Sequence, residues 1–473
     1  MGIRIPILRF GGEYHSLTQL PVADLGTGEQ LASLSQALDT MIATDCQRLG
    51  LLQAALKSLQ AIPVRERIKM SVAAANFFEG DTLDCGGVSQ TPEDYIAVLA
   101  RTSGLSFALA RANSGRICAA LRSTEEIMNG LMRGLPLGIL DTGLGVQSGA
   151  PVCISPRIDA LGVCLPNNSP GVNVIWLVCP AFGIPVLIRP GSSEPFTPLR
   201  LIQAFVRAGF PKEAFGYYPC DHSAADRIPQ LTGAAIVFGS DATVKKWASN
   251  PLVHVHGSGD SKLIIGEDLI DGWESLMPAL VKNMRANSGR SCFKVSRFMV
   301  PRHGQLIAAA LARELGTMIP RPLNDPEAML SAMAMPEAAA AVNAAIEEGL
   351  KLGGAVDMSA PYRKGNRLEV FEGRTYLHPT VVLCDSNNHP LANKEFLFPF
   401  AAVTEVPNDV AFAEMGPTLS LAVYTNDGAL KERARKSKAR LVSVNKGTWE
   451  LDRRQPHEED LFSLLWVRKS YVE

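Results

Sequence analysis

Short β-rich runs alternate with helical runs along much of the chain, and this alternation limits the fold more than any other feature. Extended runs are predicted at 152–165, 186–188, 235–238, 263–265, 298–300 and 380–383, and helices at 198–208, 242–248, 306–315 and 336–352. Such a pattern is typical of parallel sheets covered by helices, where ligands bind at the carboxyl ends of the strands. The sequence therefore predicts an α/β fold with two such units.

Two further stretches need a structural interpretation. Between residues 28 and 78 apolar residues recur at helical spacing, which predicts a helical opening (Leu31, Leu34, Leu38, Ile42, Leu52, Leu56 and Leu59). The uncharged run Gly171–Ile188 approaches the length of a membrane span. Pro180 and Pro185 interrupt it, so we expect a short helical piece at 172–178 and a short strand at 185–188.

Composition limits the class of partner. A chain of 473 residues and 50.9 kDa is too long for one ordinary core, so two or three domains are expected. Lys plus Arg number 46 and Asp plus Glu 47, without the positive excess that a nucleic-acid or membrane-surface protein needs. The basic run 431–440 is interpreted as a solvated helix face in preference to a phosphate-binding patch. We therefore expect a small-molecule partner.

The cysteines point to a reducing compartment. All nine are widely scattered and none forms a CxxC pair, which indicates neither a disulfide framework nor a zinc site, so no metal site is predicted. The segment Met1–Phe10 carries two arginines and lacks the continuous apolar run of a signal peptide. We expect a cytoplasmic protein.

Four segments carry residue types suited to carbonyl and anion chemistry. A strand runs into Pro166–Pro170 (Pro-Asn-Asn-Ser-Pro), which either forms a simple turn or presents an amide donor. Ile188–Ser192 ends a second strand, and Val237–Asp241 leads from a strand into a helix whose first N–H groups suit an anion. Asn287–Phe293 (Asn-Ser-Gly-Arg-Ser-Cys-Phe) places Cys292 in a polar, glycine-containing loop, unlike the cysteines in apolar runs.

Taken together, these segments resemble the aldehyde dehydrogenase superfamily over roughly residues 30–445. The first is similar to the family's Pro-x-Asn-x-Pro loop, which implies that Asn168 donates a hydrogen bond to the substrate oxygen. The fourth is similar to Asn-x-Gly-Gln-x-Cys, which implies that Cys292 attacks the carbonyl to give a thiohemiacetal while a nicotinamide takes or gives the hydride. An isolated cysteine would more commonly be a buried core thiol.

The resemblance also implies NAD(P) as cofactor. Ile188–Ser192 resembles the family's Lys-Pro-x-Glu, with Arg189 in place of lysine and Ser192 in place of the ribose-binding glutamate, so NADP remains open beside NAD. Gly239 and Ser240 match Phe-x-Gly-Ser beneath the diphosphate, although Ser240 or Asp241 also suits a plain helix N-cap. Glu395 lies in a segment similar to Glu-Glu-x-Phe-Gly-Pro. It would bind the nicotinamide ribose or lie at the surface as an ordinary carboxylate. Phe398 replaces the glycine of that motif.

The main departure lies at Leu252–Ile265. Hydrolytic members carry Glu-Leu-Gly-Gly-Lys there, and His256 falls at about the position of the glutamate that activates water. The turn His-Gly-Ser-Gly-Asp is instead similar to the CoA-acylating branch, whose members include acyl-CoA reductases. A thiol of pKa about 8.5 attacks a thioester without the base that water, of pKa about 15.7, requires. His256 remains either a base or a structural residue.

The resemblance thus predicts an enzyme that interconverts an aldehyde and an acyl-CoA, with coenzyme A as co-substrate. The alternatives are a hydrolytic, acid-forming dehydrogenase and a catalytically silent homologue. It also implies an aldehyde dehydrogenase-like fold with a Rossmann-type cofactor domain over 1–255, an α/β catalytic domain over 256–445 and an oligomerisation arm over 446–473. That arm would pair with the 135–160 region in a homodimer or homotetramer.

Overall fold

A computed structural model of the chain describes residues 2–48, 50–455 and 460–471. The chain divides into two compact units, each assembled from separate segments. Unit 1 contains residues 1–102, 110–257 and 452–473, and unit 2 contains residues 103–109 and 258–451. No helix among the described residues is long and apolar enough to cross a membrane.

The strands of the described residues are numbered in chain order. They are β1 Ile3–Ile5, β2 Ile7–Arg9, β3 Gly12–Tyr14, β4 Gln19–Ala23, β5 Gln30–Ser35, β6 Leu83–Asp84, β7 Ser89–Gln90, β8 Leu144–Gln147, β9 Ala150–Pro156, β10 Ala160–Cys164, β11 Val186–Arg189, β12 Phe215–Tyr217, β13 Gly233–Phe238, β14 Val253–His256, β15 Lys262–Ile265, β16 Arg297–Val300, β17 Ala355–Asp357, β18 Leu368–Phe371, β19 Arg374–Leu377, β20 Thr380–Cys384, β21 Phe400–Glu405, β22 Ser420–Tyr424, β23 Leu441–Val444 and β24 Trp466–Lys469.

The α-helices are numbered in the same way. They are α1 Asp39–Ala43, α2 Leu51–Gln60, α3 Val64–Gly80, α4 Pro92–Ser103, α5 Phe107–Arg122, α6 Thr124–Met132, α7 Ile139–Thr142, α8 Phe196–Arg207, α9 His222–Ala225, α10 Arg227–Leu231, α11 Asp241–Trp247, α12 Trp273–Arg285, α13 Gly304–Leu315, α14 Pro336–Lys351, α15 Asn408–Glu414, α16 Gly428–Arg435 and α17 Leu461–Leu465. A π-helical turn spans Thr44–Arg48, and 3-10 turns lie at Pro170–Ile175, Lys212–Ala214, Ile270–Gly272, Ala286–Gly289, Ala360–Tyr362 and Pro390–Asn393.

The main sheet of unit 1 has the strand order β14-β13-β10-β11-β12-β2-β3. Strands β10 to β14 are parallel, whereas β2 and β3 continue the sheet in antiparallel pairs. After β10 the chain moves outward to β11 and β12 and then returns to the other side of β10 as β13. In open α/β sheets such a reversal opens a crevice at the carboxyl ends of the two strands.

The main sheet of unit 2 has the strand order β17-β20-β21-β16-β15-β22-β23 and is parallel except for β17. Helices α12 and α13 contribute to the apolar core on this sheet, with fully buried side chains that include Leu280, Ile307 and Leu311. The central strands are buried along their whole length, as expected for a parallel sheet covered by helices. The predicted α/β class is confirmed.

The predicted helical opening is wrong at its beginning. Residues 30–35 form strand β5 in the sheet β1-β5-β4, and only the later part of the region is helical. Ala32 and Leu34 are both buried, with a period of two, and their partners lie in β1 and β4.

In the uncharged run Gly171–Ile188, the predicted helical piece is a 3-10 turn over Pro170–Ile175, and β11 begins at Val186.

A smaller sheet of unit 1 joins distant parts of the sequence. Its order is β24-β9-β8, and Trp466 to Lys469 pair antiparallel with Pro156 to Cys153. The 150–156 segment therefore pairs with the 466–469 segment within the same chain. A role of this sheet in assembly stays a prediction.

Candidate active site

The predicted residues of unit 1 follow the carboxyl ends of its parallel strands. Asn168 follows β10, Arg189 ends β11, Gly239 follows β13 and His256 ends β14. Cys164 of β10 is level with both Arg189 and Val237, and Phe238 is level with His256. Since these strands are parallel and in register, the four positions lie along one edge of the sheet, where ligands of such sheets bind.

The two asparagines in the loop after β10 differ in their hydrogen bonding. The side-chain oxygen of Asn167 accepts a hydrogen bond from the Ser193 amide at 2.8 Å, and its nitrogen donates to Ser192 Oγ at 3.3 Å. The side-chain oxygen of Asn168 is enclosed and has no hydrogen-bond partner among the residues that the structure describes. Rotation of this amide presents either a donor or an acceptor, so Asn168 is suited to a ligand.

The β11 loop is packed closely onto the Asn-Asn loop. A Cβ atom on Gly191 would lie 2.6 Å from the Pro166 carbonyl oxygen and 2.4 Å from Asn167 Oδ1. Only glycine permits this approach, and Ser192 is consequently held beside Asn167. Ser192 is therefore held by a hydrogen bond from Asn167. Its place near the cofactor ribose stays a prediction.

Arg189 is turned into the protein. Its Nε donates to the Cys220 carbonyl oxygen at 3.3 Å and its Nη1 donates to the Leu165 carbonyl oxygen at 3.4 Å. The guanidinium thus ties together the segments after β10 and β12. These bonds give Arg189 a structural function that the sequence analysis did not identify.

The turn after β13 is suited to a diphosphate. Ser240 is the N-cap residue of α11, yet its side chain makes no capping hydrogen bond to the helix. The N–H groups of the first turn are therefore not covered by that hydroxyl, and both Ser240 and the helix are exposed. Gly239 packs against Thr243, since a Cβ on this glycine would lie 2.5 Å from the Thr243 side chain. The residues present fit the diphosphate of NAD(P).

His256 is held by an aromatic neighbour. It is 4% exposed, and its ring stacks on Phe238 with centroids 4.7 Å apart and an interplanar angle of 24°. The two residues are level on adjacent strands, and the His256 carbonyl accepts a hydrogen bond from the Gly239 amide. His256 therefore helps to hold the turn at Gly239 in place.

In unit 2, Cys292 lies at the amino end of the sheet, before β16. The Ser261 hydroxyl donates to the Cys292 carbonyl oxygen at 2.7 Å, and a Cβ on Gly259 would lie only 2.1 Å from that oxygen. Thr448 Oγ1 donates to the carbonyl of the next residue, Phe293, at 2.6 Å. The main chain of the cysteine loop is thus fixed on both sides, while Cys292 is half-buried.

Left-handed backbone precedes the cysteine. Asn287, Ser288 and Gly289 have φ values of 50°, 54° and 68°. Side-chain hydrogen bonds support the two residues that are not glycine, because Asn287 donates to the Arg290 carbonyl and Ser288 Oγ accepts from the Ser331 amide. A Cβ on Gly289 would lie 2.4 Å from the Phe398 carbonyl carbon, which explains why glycine is needed there.

Within unit 2, Glu395 is held by the backbone of the turn that precedes β15. Its Oε2 accepts a hydrogen bond from the Asp260 amide at 2.6 Å, and burial raises the pKa of this carboxyl above its ordinary value. Phe398, where the family motif has glycine, is buried and packs with Phe396 and Phe400. Glu395 is therefore no ordinary surface carboxylate.

Buried lysines near Cys292 were missed by the sequence analysis. Lys294 is 0% exposed and its ammonium donates to the Phe400 carbonyl at 2.8 Å, while Lys262 donates to the Asp260 and Pro417 carbonyls. Burial lowers the pKa of each lysine to about 8. Lys262 begins the otherwise apolar run of β15, which is a signal in the sequence, whereas the polar surroundings of Lys294 give no such signal. Among the described residues, no group of three or more His, Cys, Asp or Glu is arranged to hold a metal ion.

Comparison with known proteins identifies the family. The model of the aldehyde dehydrogenase family matches residues 53–457. A succinate semialdehyde dehydrogenase of Acinetobacter baylyi is 24% identical over 318 residues, which are 61% of this chain and 62% of that protein. The chain thus aligns with less than two thirds of this relative's length.

Solved structures agree with the fold. Indole-3-acetaldehyde dehydrogenase of P. syringae, as a variant in complex with NAD+ and IAA, has a TM-score of 0.81 at 17% identity, covering 100% of this chain and 97% of that one. Aldehyde dehydrogenase 21 of Physcomitrella patens, in complex with the reaction product succinate, has a TM-score of 0.78 at 17% identity, covering 99% and 98%. The aldehyde dehydrogenase-like fold expected from the four segments is confirmed, and the chain belongs to the aldehyde dehydrogenase family.

Proposed function

We propose that this chain is an NAD(P)-dependent, CoA-acylating aldehyde dehydrogenase that interconverts an aldehyde and an acyl-CoA through a thioester on Cys292. The overall reaction converts aldehyde, coenzyme A and NAD(P)+ into acyl-CoA, NAD(P)H and a proton, and it runs in either direction. Members of the family are NAD(P)-dependent oxidoreductases that act on aldehydes, which supports the redox half of this proposal.

The observation that carries the CoA-acylating half is the environment of His256. This residue stands where the resemblance expects the glutamate of hydrolytic members, and it is buried and stacked on Phe238. With 4% of its surface exposed, the ring has little access to the water molecule that a hydrolytic base must deprotonate. A thiol is partly ionised near neutral pH and needs no such base, so coenzyme A is the better acceptor for the acyl group.

The residues of the chain have the following proposed roles. Cys292 Sγ attacks the carbonyl carbon, and the Asn168 amide N–H stabilises the negative charge that develops on the oxygen, an interaction of about 2.7–4 kcal/mol in other enzymes. NAD(P), when bound, would supply the hydride acceptor for the oxidative direction and the hydride donor for the reductive one. The Cys292 thioester is then attacked by the CoA thiol, which forms acyl-CoA and releases the cysteine thiolate.

The following roles toward the cofactor are proposed for individual residues. Gly239 and Ser240 are proposed to bind the diphosphate, Ser192 and Arg189 to lie near the adenosine ribose, and Glu395 to bind the nicotinamide ribose. Ser192 brings no carboxylate to repel a 2′-phosphate, which supports NADP as well as NAD. Titration of each dinucleotide by fluorescence measures this preference directly.

The test is product analysis with and without coenzyme A. We expect aldehyde-dependent NAD(P)H formation to require CoA and to yield acyl-CoA by mass spectrometry, with free acid below about one tenth of the product. Cys292→Ala should abolish turnover, whereas Cys153→Ala, which changes another half-buried cysteine, should retain it. Acid formation at an equal rate without CoA would contradict the proposal.

The acid-forming alternative is supported by the succinate semialdehyde dehydrogenase relative and by the Physcomitrella structure, which holds succinate as a reaction product. It needs a base, and His256 is its candidate. In that case His256→Gln would stop acid release and leave acylated Cys292 to accumulate, which intact-protein mass spectrometry detects. Our proposal expects His256→Gln to keep CoA-dependent turnover within about threefold.

A catalytically silent homologue would show neither turnover nor acylation of Cys292 by an acyl-CoA.

A further inference from the structure

Buried cations flank the predicted nucleophile. Arg290 lies two residues before Cys292 and Lys294 two residues after it, and both are buried. Lys262 and Arg297, level with each other on β15 and β16, are buried at the same end of the sheet. The family motif has glutamine at the position of Arg290, so the motif alone does not supply this charge.

These cations are fixed mainly by neutral oxygen atoms. Lys294 donates to the Phe400 carbonyl, Lys262 to the carbonyls of Asp260 and Pro417 and to Thr418 Oγ1, Arg290 to the Ser103 carbonyl, and Arg297 to the carbonyls of Asn387, Glu414 and Met415 and to Asn393 Oδ1. A carbonyl dipole orients a cation without cancelling its charge. Positive charge therefore persists around the loop.

Three carboxylates act on this group of cations. Glu395 and Asp260, both half-buried, act on Lys294 and Lys262, and Asp260 and the exposed Glu414 act on Arg297. Four cations thus face two half-buried carboxylates and one that solvent screens. With pKa values of about 8, Lys294 and Lys262 remain protonated at neutral pH.

We propose that Cys292 is ionised by fixed positive charge, supplied above all by Lys294 and Arg290, and needs no proton-accepting side chain. This inference rests on the nucleophilic role proposed for Cys292. Thiolates are stabilised beside lysine and arginine. Residues two apart have Cα atoms within about 7 Å. A unit charge about 10 Å from the sulfur, at an effective dielectric constant of about 20, would change the thiol pKa by about one unit.

The rigidity of the loop makes the proposal specific to Cys292. Its carbonyl is bound by Ser261 and covered by Gly259, and its neighbour Phe293 is bound by Thr448. The main chain that carries the sulfur is therefore held by contacts on both sides. Lys294 and Arg290 are positioning residues in this scheme, because they act through the thiolate and not on the substrate.

The experiment measures ionisation of Cys292 in the intact chain without substrate. The rate of iodoacetamide modification of the Cys292 peptide is followed by mass spectrometry between pH 5 and 10. We expect the unmodified chain to give a thiol pKa at least about one unit below the ordinary value of about 8.5. Lys294→Met and Arg290→Gln should each raise it by about one unit, which is about a tenfold slower reaction at pH 6.

Control variants distinguish the loss of a positive charge from a loss of folding. Lys294→Arg should restore a low thiol pKa, and Lys282→Met, which removes a 64% exposed lysine, should leave it unchanged. Each variant is first checked by thermal unfolding, and the Arg290 variant decides the matter if Lys294→Met does not fold. An ordinary pKa in the unmodified chain, or an unchanged pKa in both variants, would overturn the inference. A low pKa in a chain without CoA-dependent turnover would refute only the proposed function.

Discussion

At the scale of single residues, two glycines of unit 2 occupy positions that no other residue type can occupy without displacing the backbone. Gly259 approaches the Cys292 carbonyl, and Gly289, with positive φ, approaches the Phe398 carbonyl. The motif resemblance singled out Cys292 from its local sequence. It did not indicate which distant backbone would lie against the cysteine, since that depends on the alignment of β15, β16 and β21.

The contact between Gly259 and Cys292 gives a prediction for Gly259→Ala. The added methyl overlaps main-chain atoms, so the cysteine loop must shift, and we expect about 1–3 kcal/mol lower stability and slower alkylation of Cys292. Urea unfolding and peptide mass spectrometry measure the two effects. Gly272→Ala is the matched control, because a Cβ there meets nothing within 4 Å. Equal behaviour of the two variants would show that the loop tolerates the displacement.

At the scale of elements, hydrophobic period and run length predicted strands β11, β13, β15, β16 and β20 and helices α8, α11, α13 and α14, but not β5. Leu31, Leu34 and Leu38 fit a helical period, whereas the decisive contacts of β5 are made with residues 3–5 and 19–23, which no local pattern reveals. Buried charges were missed for the same reason. Glu194 precedes α8 and is 3% exposed, and its carboxylate accepts from the amide and the hydroxyl of Thr197.

The burial of Glu194 predicts an unusual pH dependence. Burial raises its pKa to about 7 from the ordinary 4.5, so between these values the folded chain binds a proton that the unfolded chain releases. The contribution of this group to stability therefore falls as pH rises from about 4.5 to 7, by up to about 3 kcal/mol.

Glu194→Gln keeps the acceptor oxygen and removes the charge. We expect it to raise the urea midpoint at pH 8 and to have little effect at pH 5, where the native carboxyl is already protonated. Glu93→Gln, in the exposed first turn of α4, should change neither midpoint. A lower midpoint for Glu194→Gln at pH 8 would mean that the ionised carboxylate stabilises α8.

At the scale of the whole molecule, the alternating pattern predicted two α/β units, and the structure contains two parallel-stranded sheets. The discontinuity of both units was less accessible to sequence, since residues 103–109 belong to unit 2 and residues 452–473 to unit 1. Within that last segment, Trp466–Lys469 form β24. Its partner strand β9 could be expected only from the family resemblance.

Docking of this segment can be tested at Trp466. Its side chain is buried in unit 1, and its Nε1 donates to the Phe182 carbonyl at 3.2 Å. Trp466→Ala should lower the free energy of unfolding by about 3–5 kcal/mol, because the cavity cannot fully collapse. Tyr471→Ala, at an exposed position just beyond β24, should have almost no effect. Equal unfolding midpoints would indicate that the segment contributes little to unit 1.

The pairing of β24 with β9 has a consequence for the nascent chain. Arg157, just beyond β9, donates to the carbonyl of Ser463, which lies 306 positions later. At about 5–20 residues per second, a ribosome needs roughly 15–60 seconds to make the intervening stretch. During that interval the nascent chain lacks the strand that pairs with β9. The exposed backbone groups of such a strand edge can pair with other chains. Cells that make this protein must shield that edge with a chaperone or tolerate it until the last strand emerges.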